Sequence, residues 1–177
     1  FQRRQPGSAF KPFVWLAALE QGARPDDLVL DAPIRVGAWS PSNFDGRFRG
    51  EITIESALAD SVNTAAVRLE QQAGGPRAVA AVAARLGIAD KLPDNPALAL
   101  GTAEVGVLEL AGAYAPFFNG GLRVTPTGLE SIETGGRSTP VDHAEPTRVI
   151  AADTSAMMLR MMVAVVAFIV LVERGER

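Results

Sequence analysis

An α+β domain dominated by helix is the fold class this sequence predicts, and three observations predict it. Several runs carry apolar residues at helical spacing and stop at glycine, the pattern turns to alternation beyond Leu122, and hydrophobic residues make up 47% of the 177. A chain of this length can bury a sizeable core, so one domain or most of one is expected.

The first helix follows Pro6-Gly7. In "SAFKPFVWLAALEQG" Phe13, Leu16 and Leu19 fall near helical spacing and Gly22 terminates the run. Pro12 sets where it begins: proline donates no N–H and its ring crowds the carbonyl four residues earlier, so Ser8 must lie at the very start of the helix. Asp31 to Gly50 mixes Pro, Gly, Ser, Asn and Asp with isolated aromatics and reads as an ordered loop. Thr53 is the expected N-cap of the next helix, which breaks around Asp60 to Asn63 and resumes through Leu69 to stop at Gly74-Gly75. "PRAVAAVAARLG" and "TAEVGVLELAGAYAPFFNGG" are two further helices ending in glycine. Alternation on both sides of Gly135-Gly136 predicts a short hairpin, and Asp153 or Thr154 is expected to cap a last helix. That helix runs into 12 uninterrupted apolar residues, Met161 to Val172. The stretch is shorter than the roughly 20 residues a bilayer span needs, so a buried helix or strand is expected.

Composition excludes much. Seventeen basic against 20 acidic side chains give a net charge of -3 without a dense basic patch, so nucleic acid is not an expected partner. There is no cysteine and a single histidine, His143, so thiolate chemistry, histidine triads and the usual zinc sites are excluded and no metal is expected. The chain opens on Phe1 with no charged-then-apolar leader, which reads as a segment of a longer protein.

Ser8 and Lys11 stand three residues apart, and on a helix such positions are neighbours, about 5–6 Å between β-carbons. A serine hydroxyl is a poor nucleophile until a base takes its proton. A lysine can do so only when burial or nearby positive charge lowers its pKa. The only lysines are Lys11 and Lys91, the other basic residues being arginines, and arginine stays protonated. Taken alone the pair is unspecific, and a serine N-cap beside a solvated lysine is the plainer reading. Ser61 and Asn63, at a helix junction, are equally unspecific alone. Their functional reading is a hydroxyl that relays a proton and an amide that orients a substrate peptide group.

The surroundings add specificity. "RQPGSAFKPF", "SPSNFDGRFRGEITIESALADSVNTAAVRL" and "LALGTAEVGVLELAGAYAPFFNGGLRVTP", in that order, resemble the transpeptidase domain of class A penicillin-binding proteins, within the serine D,D-peptidase and β-lactamase superfamily. The resemblance runs from about Arg4 to about Val166. It implies residues 1–166 as a partial transpeptidase domain: a helical lobe of an α+β fold, with sheet strands missing at both ends. By position it implies Ser8 as acylated nucleophile, Lys11 as general base or proton relay, Ser61 as the group passing a proton to the leaving amine, and Asn63 as a donor-peptide ligand. The implied partners are D-Ala-D-Ala stem peptides of peptidoglycan and β-lactam antibiotics, on the outer face of the cytoplasmic membrane. Membrane contact would come only through an upstream anchor, and no cofactor is implied.

One departure is clear. The family's third motif, Lys followed by Thr or Ser and Gly, is not found: Lys91 precedes Leu-Pro, and "GGRST" at Gly135 to Thr139 lacks the lysine and the glycine in register. After "MMVAVV" the chain reads "AFIVLVERGER", so residues 167–177 are expected to be a tail outside the pattern. Truncation with a shifted reading frame is the expected cause, divergence the alternative. Helices left without their sheet would expose apolar surface, so marginal stability, aggregation and little or no activity are expected. A non-catalytic penicillin-recognition module and another superfamily hydrolase are the other readings. The latter lacks a candidate deacylating glutamate in register.

Overall fold

A computed structural model of the chain describes residues 2–89 and 91–173, with side chains described through residue 168. In chain order its elements are β1 (Arg3–Arg4), a 3₁₀ turn (Gly7–Phe10), α1 (Lys11–Glu20), β2 (Leu28–Asp31), β3 (Gly50–Thr53), α2 (Ile54–Ala59), α3 (Asn63–Gln72), α4 (Pro76–Leu86) and a second 3₁₀ turn (Pro96–Leu100). These are followed by β4 (Val105–Gly106), α5 (Val107–Phe118), β5 (Leu122–Arg123), β6 (Ser131–Thr134), β7 (Arg137–Pro140), β8 (Thr147–Arg148) and α6 (Ala152–Glu173).

At the centre of the helices is α1, which is buried from Lys11 to Leu19. It packs against α3, α4 and α6, and this explains why its sequence is apolar all round rather than on one stripe. Burying Phe13, Trp15 and Leu16 contributes about 1.5–3 kcal/mol for each side chain. The indole of Trp15 keeps its polar tip satisfied by donating from Nε1 to the Ile54 carbonyl at 2.8 Å. Pro12 occupies the first turn, where its missing N–H costs nothing.

The strands form four separate two-stranded antiparallel ladders, β1 with β4, β2 with β3, β5 with β8 and β6 with β7. The β2–β3 ladder is not anticipated in the sequence, because its strands of four residues are separated by residues 32–49 and only tertiary pairing joins them; Asp31 and Gly50, expected in the loop, pair with each other at the end of the ladder. The hairpin at Gly135-Gly136 forms with both glycines at positive φ, 59° and 75°, the geometry a two-residue turn between twisted strands requires. Both its strands are exposed throughout.

Thr53 caps α2 as expected, its hydroxyl accepting from the Ser56 N–H at 3.1 Å. Other boundaries differ. The helix expected over "TAEVGVLELAGAYAPFFNGG" begins only at Val107, because Val105-Gly106 pairs with β1 and the Glu109 carboxylate accepts the Gly106 N–H at 3.0 Å. Neither Asp153 nor Thr154 is an N-cap: α6 starts at Ala152, and the Asp153 carboxylate accepts the Thr154 N–H from within the first turn. The apolar run from Met161 is helical but not buried as a whole. Met158 and Met161 pack inward, while Leu159, Val163 and Val166 face solvent. Of the expected tail, residues 174–177 lie outside the described residues. No described helix is long and apolar enough to cross a membrane.

Candidate active site

Ser8 lies in the 3₁₀ turn that leads into α1, and its carbonyl accepts the Lys11 backbone N–H. The turn is gripped from outside at two points. The Gly7 N–H donates to the Gly101 carbonyl at 3.1 Å, and the Tyr114 hydroxyl donates to the Ala9 carbonyl at 2.5 Å. Gly101 sits at φ 69°, and a β-carbon there would fall 2.1 Å from the Gly7 carbonyl oxygen. The position thus requires glycine for conformation and for space. Tyr114 is itself held in a ring cluster with Phe13 and Phe117. Burial pushes its hydroxyl up to about 12, which keeps it a hydrogen-bond donor.

The Ser8 side chain caps neither the 3₁₀ turn nor α1. Nor is Lys11 solvated: it is 1% exposed. Its Nζ donates to the Ser61 carbonyl at 2.6 Å, to Ser61 Oγ at 2.9 Å and to Asn63 Oδ1 at 2.7 Å. Desolvation lowers its pKa to about 8, because burial penalises the ammonium. The structure therefore brings Lys11, Ser61 and Asn63 into direct contact. Ser8 joins Lys11 and Ser61 through a shared cavity of about 270 Å³, lined also by Leu58, Tyr114, Met162 and Val165; Asn63 touches Lys11 but does not line it.

Ser61 stands between α2 and α3 with φ at 54°, a left-handed conformation costing about 1–2 kcal/mol for a residue with a β-carbon. The twist puts its carbonyl and hydroxyl on the same ammonium. Asn63 opens α3. Its Oδ1 faces Lys11 and its Nδ2 donates to the Ser42 carbonyl at 2.9 Å, leaving one amide hydrogen for a ligand.

Sequence reasoning did not single out Asp31, Asn43, Gly101 or Tyr114. Two of the segments carrying the resemblance contain Asn43, Gly101 and Tyr114, but nothing local distinguishes an asparagine that caps a distant helix from one that closes a turn. A larger groove of about 680 Å³, lined by Arg3, Leu86, Val107 and Arg123 among others, includes none of the four predicted site residues. The buried carboxylate of Glu70 does not line the Ser8 cavity either. Among the described residues no cluster of three or more acidic or histidine side chains is arranged to hold a metal ion.

The family model "Penicillin binding protein transpeptidase domain" matches residues 2–168. Penicillin-binding protein 1A of Pseudomonas aeruginosa is 42% identical over 138 residues, 75% of this chain and 17% of that relative's length. In three dimensions the chain resembles the PonA1 protein from Mycobacterium tuberculosis in complex with penicillin V, with a TM-score of 0.82 and 28% identity over 91% of this chain and 47% of that one. It also resembles penicillin-binding protein 1A from Haemophilus influenzae, with a TM-score of 0.78 and 28% identity over 88% of this chain and 29% of that one. Matched along almost its whole length by the family model, and sharing fold and sequence with these relatives, the chain belongs to the transpeptidase-domain family of the penicillin-binding proteins.

Proposed function

We propose that this chain carries the acylating part of a serine-type peptidoglycan D,D-transpeptidase, with Ser8 as nucleophile. The observation that carries the reading is a buried lysine held by Ser61 and Asn63 in the cavity that Ser8 lines. The neutral amine of Lys11 takes the Ser8 hydroxyl proton as Oγ attacks the carbonyl joining two D-alanines. The placement of Ser8 at a helix start favours the negative charge that develops on that carbonyl oxygen. The proton passes from Lys11 through Ser61 Oγ to the departing amine, D-alanine leaves, and the remaining acyl group is an ester on Ser8. An acceptor amine on a neighbouring stem then attacks the ester and regenerates Ser8, and water in its place gives carboxypeptidase activity. The free hydrogen of the Asn63 amide is available to the donor peptide. A β-lactam enters the same first step, its ring carbonyl acylating Ser8. No cofactor is called on, and the substrate places this chemistry outside the cytoplasmic membrane.

A specific observation favours a second reading. Neither lysine of the 177 residues is followed by Thr or Ser and then Gly, so this sequence supplies no third motif to bind the substrate carboxylate and bring a second oxyanion donor. Losing one such donor costs about 10²–10³ in rate in a protease. The chain would then bind β-lactams without turnover, or do nothing. Incubation with a fluorescent penicillin, compared with Ser8→Ala, separates the cases. Covalent labelling lost in Ser8→Ala supports the acylation site; reversible binding indifferent to Ser8→Ala supports a recognition module; no labelling of folded chain refutes the catalytic reading.

A further inference from the structure

The helix that presents Asn63 to Lys11 cannot cap itself. Val62 is at the N-cap of α3 and has no side-chain acceptor for the first N–H groups. Those groups instead reach across the fold: the backbone N–H of Asn63 donates to Asn43 Oδ1 at 3.0 Å, and that of Thr64 donates to the same oxygen at 3.3 Å. Asn43 is buried and is oriented through its other atom, Nδ2, which donates to Asp31 Oδ1 at 2.7 Å and to the Arg47 carbonyl at 2.7 Å. Asp31 is fully buried and accepts in addition from the Thr64 hydroxyl at 2.6 Å and the Arg49 N–H at 2.9 Å. Burial alone would raise its carboxyl, but the bonds from Thr64, Asn43 and Arg49 outweigh this and hold it below the usual carboxylate range. The neighbouring Ser42 carbonyl accepts from the Asn63 side chain. One loop therefore holds both the backbone and the amide of the residue that faces Lys11 Nζ.

We propose that Asn43, seated on the buried Asp31 carboxylate, is a positioning residue for the base: it supplies the missing cap of α3 and so keeps the Ser61 and Asn63 acceptors closed around Lys11. The proposal rests on Lys11 acting as the base. It concerns an environment that can be read without any acylation. Without Asn43 Oδ1 the first turn of α3 loses two hydrogen bonds, the acceptors move off Nζ, and water reaches the amine. Relief of desolvation then raises the Lys11 pKa towards the ordinary lysine value. The groups lining the cavity that titrate are Lys11 and Tyr114, while α2 and α6 face it with Leu58, Met162 and Val165.

The chain has only two lysines, and Lys91 is exposed, so ¹³Cε-lysine NMR reads Lys11 directly, with Lys91→Arg assigning the signals. In the unsubstituted chain Lys11 should titrate near 8. In Asn43→Ala the midpoint should rise by about 0.5 units or more. The isosteric Thr64→Val, which removes one donor to Asp31 without touching the cap bonds, should move it less in the same direction. Val79→Ala, a cavity in α4 away from the network, should lower stability and leave the midpoint in place. A Lys11 midpoint within about 0.2 units of the parent in folded Asn43→Ala would overturn the proposal. Should Asn43→Ala fail to fold, an unmoved midpoint in Thr64→Val overturns it. Absent penicillin labelling alongside a shifted midpoint would sink the catalytic reading, and with it the role of Lys11 as base, while leaving the hold of Asn43 on the Lys11 surroundings intact; labelling without the shift would overturn the positioning role of Asn43 and leave the catalytic reading standing.

Discussion

If Lys11 is the base, the rate of Ser8 acylation must follow the fraction of Lys11 that is neutral, and burial sets that fraction. With a pKa of about 8 the amine is neutral for about 1% of molecules at pH 6, about 10% at pH 7 and about 90% at pH 9. A lysine at its ordinary 10.5 would be neutral for only about 0.03% at pH 7, so desolvation raises the population of the base roughly 300-fold. The second-order rate of labelling by a fluorescent penicillin, followed by stopped flow or quenched gel assay, should rise about tenfold from pH 6 to 7, bend near 8 and level off by 9. Lys11→Arg keeps the cation and removes the base, and it should lower the rate by about 10²–10⁴ across this range. A flat profile, a rise that continues unbent beyond pH 9, or normal labelling of a folded Lys11→Arg would refute the reasoning. The same depressed pKa makes stability increase as the pH rises from about 8 towards 10.5, where the unfolded chain still binds the proton and the folded chain does not.

Glu70 gives the opposite dependence. It is fully buried, its carboxylate oxygens have no partner in good hydrogen-bond geometry among the described residues, and burial pushes it up to about 8, opposed only in part by the Ala99 N–H. Stability should fall as pH rises from about 4.5 to about 8 and then level; at pH 7 the group costs on the order of 3 kcal/mol, and Glu70→Gln should flatten the curve in urea titrations. Gly101→Ala places a β-carbon on the Gly7 carbonyl at an unfavourable φ, and should lower stability by about 1–3 kcal/mol and slow Ser8 labelling of the folded fraction, measured by calorimetry and gel assay. The exposed Val163 and Val166 on α6 should drive self-association, so Val163→Ser with Val166→Glu should reduce light scattering on heating; unchanged scattering would locate the association elsewhere.

Local chemistry made the helical elements legible. Thr53 caps α2 because its hydroxyl reaches an N–H three residues on, and the Gly135-Gly136 hairpin follows from φ values that few other residues tolerate. Elements held by distant pairing were not legible. The β2–β3 ladder and the true start of α5 depend on partners tens of residues away, and the exposed face of α6 depends on what packs over it.

The site divides along the same line. The sequence by itself determined that Ser8 stands ahead of the α-helix with Lys11 three residues on, since the ring of Pro12 forbids an α-helix that begins earlier, whereas the 3₁₀ turn that holds Ser8 was decided by the fold. The sequence also determined the family, through ordered segments that local pattern alone would not explain. Only the tertiary structure decided that Lys11 is buried, that Ser61 and Asn63 rather than solvent receive its hydrogens, and that Asp31 and Asn43 hold the helix that brings them there. Desolvation is a property of everything packed around a charge, and in this fold that surrounding comes from residues some 50 positions away from the lysine.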